Sequence, residues 1–268
     1  MAEVQVAKPF VKWAGGKQAL AGVLISYLPD GFDTYYEPFV GGGSVFFTLR
    51  PKRAVICDEN TWLMDTYAAI REDWKKVAWI LDTLRNTERE YLRIRKIKPE
   101  DLDLFHRAAH VIYLNKTCFR GLFRVNREGQ FNVPYGDYDR RYYDPESLKR
   151  VAAQLLGVEV RQGDFELGLA GITARDFAYL DPPYYKLGGY SDFNRYTTLQ
   201  FRAKDHMRLA AVCRELDQRG VRWALSNSNT PYVRALFRGL RIRTISARRE
   251  INLDSRRRGI SELLITNY

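Results

Sequence analysis

The sequence predicts an α/β fold: an open, doubly wound and mostly parallel sheet that carries a mainly helical insertion. Three observations lead there. Short apolar runs alternate with helically spaced segments at both ends of the chain, the pattern that lays helices over a parallel sheet. The first run ends in the glycine turn Gly41-Gly42-Gly43 and the second in the acidic Asp58, which is how a doubly wound sheet begins. Between about residues 60 and 143 the period turns helical and the strand signals thin out, separating an insert from its sheet-forming flanks.

Residues 10–28 read as a loop, Lys12-Trp13-Ala14-Gly15-Gly16-Lys17, and a helix bearing Leu20, Val23, Leu24, Tyr27 and Leu28, stopped by Pro29-Asp30-Gly31. Tyr35-Tyr36-Glu37-Pro38-Phe39 is a short strand running into the glycine turn, and a helix begins just after Ser44. Ala54-Val55-Ile56-Cys57 is a compact buried strand. Helices are expected over 63–84, 88–98 and 99–115, the last carrying Leu102, Phe105, Ala109, Ile112 and Tyr113. Residues 116–143 form a basic, aromatic, loop-rich piece. Within it Arg124-Val125-Asn126 and Gln130-Phe131-Asn132-Val133, joined through Glu128-Gly129, read as a β-hairpin. The sheet resumes with Val158-Glu159-Val160, ending at Gly163-Asp164-Phe165, and with Phe177-Ala178-Tyr179-Leu180. A helix over 201–219, closed by Gly220, and strands at 222–226, 241–246 and 263–266 complete the chain. Residues 1–59 with 144–268 are thus expected to form the sheet domain, and 60–143 the insert.

The 268 residues, 46% hydrophobic and 13% aromatic, suffice for a full α/β core plus an insert and argue against disorder. Mean hydropathy is −0.39, and no run approaches the roughly 20 apolar residues of a membrane span. Met1-Ala2-Glu3-Val4-Gln5 shows no secretory signal. Cys57, Cys118 and Cys213 are scattered, and His106 and His110 sit in no zinc motif. A reduced, cytoplasmic, metal-free monomer is expected. The net charge is +11, and it is clustered: nine arginines lie between Arg234 and Arg258 against only Glu250 and Asp254. A second cluster, Lys116, Arg120, Arg124 and Arg127, interleaves with Phe119, Phe123 and Phe131. A charge spread only for solubility would not concentrate in this way. Arginine beside aromatic rings grips phosphates and stacks on bases, so the expected partner is nucleic acid.

Two glycine-rich segments need sorting. The turn after Glu37 departs from the dinucleotide fingerprint, since Phe46 stands where a third glycine belongs. Asp58, placed at the tip of the next strand, is nevertheless where a carboxylate binds ribose hydroxyls. Ala14-Gly15-Gly16-Lys17 is not a phosphate loop, because Val11 and Gln18 replace its first glycine and its magnesium-binding hydroxyl. The sharpest motif is Asp181-Pro182-Pro183-Tyr184. Its prolines end a buried strand in a rigid extended turn. The turn holds a carboxylate, a carbonyl and an aromatic ring at the sheet edge where such folds bind ligands. That set suits an exocyclic amine of a base. The Asp181 carboxylate and the Pro182 carbonyl would accept its two N–H groups and localise its lone pair, and Tyr184 would stack on the ring.

Together, the blocks at 10–20, 36–47, 57–60, 113–136 and 181–184, with Ser226-Asn227 and Glu262-Leu263-Leu264, resemble the Dam-type DNA adenine-N6 methyltransferases. Their order corresponds to the α arrangement of amino-methyltransferases. The resemblance implies a seven-stranded methyltransferase sheet and S-adenosylmethionine (SAM) as methyl donor, leaving S-adenosylhomocysteine, with no metal. It implies double-stranded DNA as partner and adenine within GATC as target. By the same resemblance Asp181, Pro182 and Tyr184 are catalytic, while Trp13, Ala14, Lys17, Asp58 and Asp181 contact SAM. Glu37, Gly41, Gly43 and Ser44 line its pocket, and Asp164 and Phe165 flank its adenine. Lys12, Arg120, Leu122, Arg124, Asn126 and Pro134 fall where family members touch DNA. Arg124 suits bidentate reading of guanine, whereas Arg120 stands where an asparagine often wedges. Residues 186–199, with Gly188-Gly189, Phe193 and Tyr196, would close over the flipped base, and Arg256-Arg257-Arg258 would form a phosphate-contacting or solvated loop rather than a base reader. Two other readings remain: a non-catalytic DNA-binding regulator on the same frame, and cytosine-N4 transfer, against which the first-position Asp181 argues. Cys213 reads as core, not as the nucleophile of carbon-5 transfer.

Overall fold

Seven strands build one sheet: β1 (Tyr35–Glu37), β2 (Ala54–Asp58), β3 (Val158–Gln162), β4 (Phe177–Leu180), β5 (Arg222–Ser228), β6 (Arg241–Arg248) and β7 (Gly259–Thr266). This computed structural model describes residues 6–126, 128–185, 201–248 and 259–268. The loop expected to close over the base, Arg127 and the Arg256-Arg257-Arg258 run lie outside the described residues. The strand order is β3-β2-β1-β4-β5-β7-β6. The first five are mutually parallel, and β7 runs antiparallel between β5 and β6. The fold is therefore the mostly parallel, seven-stranded sheet that was expected.

The central strands β1, β2 and β4 read as near-continuous apolar runs because both their faces are covered, whereas the edge strands β3 and β6 carry charged residues. Alternate residues feed two cores: Tyr35, Phe177 and Tyr179 point to one, Tyr36, Ala178 and Leu180 to the other. Over the first face lie α1 (Ala21–Ile25), α2 (Ser44–Leu49), α3 (Thr61–Thr83), α5 (Leu104–Thr117) and α6 (Pro145–Gln154), with α4 (Glu88–Arg95) against α5. Over the second lie α7 (Phe165–Gly168), α8 (Ala203–Gln218) and α9 (Pro231–Leu236). Cys213 is buried on α8 as core. One apolar cluster runs from the sheet through α3 and α5 to Phe123, Phe131 and Val133.

Three expectations change. The single helix over 99–115 is a 3₁₀ turn (Pro99–Asp101) and a separate α5, because the Asp103 carboxylate caps the amides of Phe105 and His106. The helix over 63–84 breaks at Asp73, whose side chain recaps the amides of Lys75 and Lys76. The hairpin contracts to one antiparallel bridge, Val125 with Phe131, closed at Gly129 with φ +77°, and the Asn126 carboxamide takes the Glu128 and Gln130 amides. Helices α6, α7 and α9 have no counterpart among the expected elements. No helix among the described residues is long and apolar enough to cross a membrane.

Candidate active site

Strands β1 and β4 are neighbours, while β2 and β5 extend the sheet to either side. At such a reversal of strand order the carboxyl ends open a crevice, where ligands bind in this class of sheet. The register pairs Tyr35 with Phe177 and Tyr36 with Ala178, which brings Glu37 and the Asp181-Pro182-Pro183-Tyr184 turn to the same edge. Lys17, nearly buried, donates to Asp181 Oδ2 and to the Gly15 carbonyl, each at 2.7 Å. Its Nζ also lies 4.7 Å from the centre of the Tyr184 ring. The other carboxylate oxygen, Oδ1 of Asp181, is buried and makes no hydrogen bond of good geometry among the described residues, although the Tyr184 hydroxyl lies near enough to the carboxylate to favour its ionised form. Such an atom in a protein interior is costly, so its survival points to a ligand donor that completes it. Pro182 is buried and Pro183 exposed, so the turn stands with its first half in the crevice.

Three acids gather here, and burial raises each. Asp181 is pushed up to about 6 by desolvation against the pull of Lys17. Asp58 rises to about 6, with its carboxylate held by the Gly41 and Asn60 amides at 3.0 and 2.9 Å. Glu37 rises to about 8, although the Tyr35 hydroxyl donates to it at 2.8 Å. A group of acids raised by desolvation is the complement of a cationic ligand. The glycines shape the floor. Gly41 and Gly43 adopt φ +49° and +73°, and a Cβ on Gly41 would meet Trp13 Cδ1 at 2.8 Å. The indole therefore lies directly on the turn, while Ser44, nearly buried, opens α2 after Gly43. Ala14 is half-buried beside Trp13. Asp164 caps α7 and pairs with Arg208, which also packs over the Phe165 ring at 4.5 Å. Phe165 is itself buried against Phe39 and Phe201.

The residues expected to touch DNA gather around α5 and the bridge that follows it. Lys12 is exposed, but its backbone amide donates to Asn115 Oδ1 at 2.7 Å, and Asn115 Nδ2 donates to the Lys12 and Gly121 carbonyls at 2.9 and 3.1 Å. Arg120 is exposed at φ +59°, with its amide on the Tyr138 hydroxyl. Leu122 is half-buried and Pro134 exposed. The Arg124 guanidinium is already engaged, donating from Nε to Asn132 Oδ1 at 2.7 Å and from Nη2 to the Asn132 carbonyl at 3.1 Å. Asn126 is committed to its own turn. Lys116, between Lys12 and Arg140, is lowered to about 8, mainly by burial.

Sequence reasoning gave no role to several residues that build this site. The Tyr179 hydroxyl meets Ser226 Oγ at 2.8 Å, and Tyr184 donates to Glu262 Oε2 at 2.8 Å. Asn227, fully buried, holds the Tyr185 amide through Oδ1. Asn115 joins Lys12 to the turn at Gly121. Of these, Asn115, Ser226, Asn227 and Glu262 stood inside noted blocks, yet nothing local to them signalled a partner.

A family model described as D12 class N6 adenine-specific DNA methyltransferase matches residues 13–251. The chain is 39% identical to the type II methyltransferase M.MjaIII of Methanocaldococcus jannaschii, over 97% of this chain and 99% of that protein. It is 35% identical to the type II methyltransferase M1.LlaDCHI of Lactococcus lactis subsp. cremoris, over 97% and 95%. With the DNA adenine methylase of Vibrio cholerae the identity is 31%, over 96% and 95%.

Proposed function

The chain belongs to the D12 class of N6 adenine-specific DNA methyltransferases, and from that premise we propose that it methylates N6 of a flipped-out adenine in duplex DNA, within GATC, with SAM as donor. The observation that carries the reading is Oδ1 of Asp181, buried and without a well-formed hydrogen bond among the described residues, set beside Lys17 where the strand order reverses.

The donor set fits SAM. Glu37, Asp58 and Asp181 supply carboxylates for its cationic centres and ribose, and Trp13, Ala14, Lys17, Gly41, Gly43, Ser44, Asp164 and Phe165 would complete its pocket. When bound, SAM supplies an electrophilic methyl group. The chain's own residues prepare the acceptor. Stacking hides the amine inside a duplex, so the nucleotide leaves the helix at a cost of about a few kcal/mol. Asp181 Oδ1 then accepts one N6–H and the Pro182 carbonyl the other, which turns the nitrogen lone pair out of conjugation. Tyr184 stacks on the base. Lys17 fixes Asp181 in the ionised, accepting form, and holding both reactants in line supplies much of the acceleration.

In this reading residues 60–143 hold the target site in DNA, through Lys12, Arg120, Leu122, Arg124, Asn126 and Pro134 on or beside them. Residues 1–59 and 144–268 hold the cofactor, in a cytoplasmic monomer that needs no metal. Arg124 reads guanine with the guanidinium edge that Asn132 leaves open. Phosphate contacts by the basic surface make DNA affinity fall steeply with salt. The test is methyl transfer to plasmid DNA in vitro, followed by sequencing for N6-methyladenine. Modified GATC sites are expected, and unmodified DNA or methylated cytosine overturns the proposal. Asp181→Ala is expected to lower turnover by about a thousandfold or more while DNA affinity stays within several-fold, since the carboxylate acts on the reacting amine.

A further inference from the structure

We propose that Glu262 is a positioning residue of this reaction: from the antiparallel strand β7 its carboxylate holds the Tyr184 hydroxyl and so fixes the ring against which the target base stacks. The inference rests on the reading of Asp181 to Tyr184 as the unit that holds the base.

The geometry begins with the sheet. Strand β7 places Glu262 opposite Ser228 on β5 and Ile245 on β6. Leu263 and Ile265 on β7 point to one core, and Leu264, two residues from Glu262, points to the other. Glu262 is therefore on the face that carries Tyr35 and Tyr179, and it is only 7% exposed. A carboxylate at such a place is strongly disfavoured unless it is hydrogen-bonded. Its Oε2 accepts the Tyr184 hydroxyl at 2.8 Å. Tyr184 follows two prolines whose backbone is already restricted, so this bond fixes the remaining freedom, the side-chain torsions. Lys17 Nζ lies 4.7 Å from the centre of the Tyr184 ring and donates to Asp181. Glu262, Tyr184, Lys17 and Asp181 thus form one connected set.

Glu262 also brings a negative charge to Asp181. The groups facing Asp181 are Lys17 from the loop before α1, Tyr35 and Glu37 from β1, Tyr179 from β4, Tyr184 beyond β4, and Glu262 from β7. Burial raises Asp181 most, Lys17 opposes that rise, and Glu262 adds to it. A protonated Asp181 donates where it should accept, so activity falls below about pH 6. Glu262→Gln keeps an acceptor for Tyr184 and removes the charge, whereas Glu262→Ala removes both.

The test measures kcat, the KM for SAM and the pH profile on a GATC duplex for wild type, Glu262→Gln, Glu262→Ala, Tyr184→Phe and the double variant. Glu262→Ala is expected to lower kcat by about 10- to 100-fold with little change in the KM for SAM, as a misplaced ring misaligns the acceptor. Tyr184→Phe/Glu262→Ala should be no slower than Glu262→Ala, because the two groups act as one pair. Glu262→Gln should retain most of kcat and move its acid limb to lower pH. Additive losses, or an unmoved acid limb in Glu262→Gln, overturn the proposal. A second readout needs no turnover: the ring ¹³Cζ resonance of Tyr184, assigned by its loss in Tyr184→Phe, should shift in Glu262→Ala. An unchanged resonance sinks the inference even if the wild type methylates DNA. Failure of the wild type to methylate sinks the function, while this contact is still read.

Discussion

Glu37 is a carboxyl held at about 8 by burial, with the Tyr35 hydroxyl donating to it. Its folded-state value lies above the ordinary 4.5, so between about pH 4.5 and 8 the native state binds the extra proton and stability falls as pH rises. Glu37→Gln removes that dependence. Thermal melts of the ligand-free protein should therefore show the variant gaining on wild type between pH 5 and pH 8, and parallel curves would refute the assignment. The same group predicts proton release when SAM binds, since a nearby cation favours the ionised acid. Calorimetry at pH 7 in buffers of different ionisation enthalpy should show it, and Glu37→Gln should diminish it. Arg120 gives a second prediction at this scale. At φ +59° a residue with a long side chain is strained by roughly 1–2 kcal/mol, and asparagine or glycine is strained less. The asparagine that the resemblance implies at this place is thus one that the backbone would favour. Arg120→Asn should raise the melting temperature while weakening DNA binding, as measured by denaturation and by fluorescence anisotropy. A lower melting temperature would mean that the Phe119–Arg120 contact outweighs the backbone.

Elements were legible where local patterns decide them. Every strand was foreseen within a few residues: the central ones leave unbroken apolar runs such as Phe177-Ala178-Tyr179-Leu180, and the edge strands β3 and β6 show as alternation, as in Val158-Glu159-Val160. Helices were harder. The boundary of α5 depends on one carboxylate, since Asp103 takes two amides and so stops the chain from continuing the helix out of Pro99–Asp101. Asp103→Ala should cost about 1 kcal/mol in urea unfolding, the usual worth of such a cap. An unchanged midpoint would show that packing of Ala109, Ile112 and Tyr113 alone sets the start of α5. Helix α6 announced itself by Asp144-Pro145, a cap followed by a first-turn proline, yet it falls at the expected edge of the insert and was passed over. The hairpin shrank because Asn126 and Gly129 spend the hydrogen bonds of the turn within five residues. In the site, Asp58, Asp181 and the glycine turn could be read because motif and strand end coincide. Glu262 could not, because its role comes from a strand that enters antiparallel between two others, a pairing no local pattern encodes.

At the scale of the whole molecule, the edge of the sheet proposed to hold the cofactor and the turn proposed to face DNA are joined by one set of packed and hydrogen-bonded residues. Asn115 is fully buried near the end of α5. Its carboxamide accepts from the Lys12 amide and donates to the Lys12 and Gly121 carbonyls, so the segment before Trp13 and the turn after Arg120 share one clamp. Trp13 in turn packs on Phe123, with ring centres 5.0 Å apart, and Phe123 meets Trp62 and Phe131. Anything that orders Trp13 therefore orders the chain carrying Leu122 and Arg124. That arrangement predicts coupling between the two ligands, and any such coupling is reciprocal: a cofactor that tightens DNA binding by some factor must itself be bound tighter by the same factor on DNA. Asn115→Ala leaves the Lys12 amide and two carbonyls unpaired at a cost of about 1–3 kcal/mol for each buried group, and it releases the clamp without touching either ligand. The variant should bind S-adenosylhomocysteine alone and DNA alone with modest losses, while the factor by which each strengthens the other falls towards one. Four titrations around the cycle measure it. If the factor survives in Asn115→Ala, the coupling runs through Trp13 and Phe123 alone, and Phe123→Leu should then abolish it.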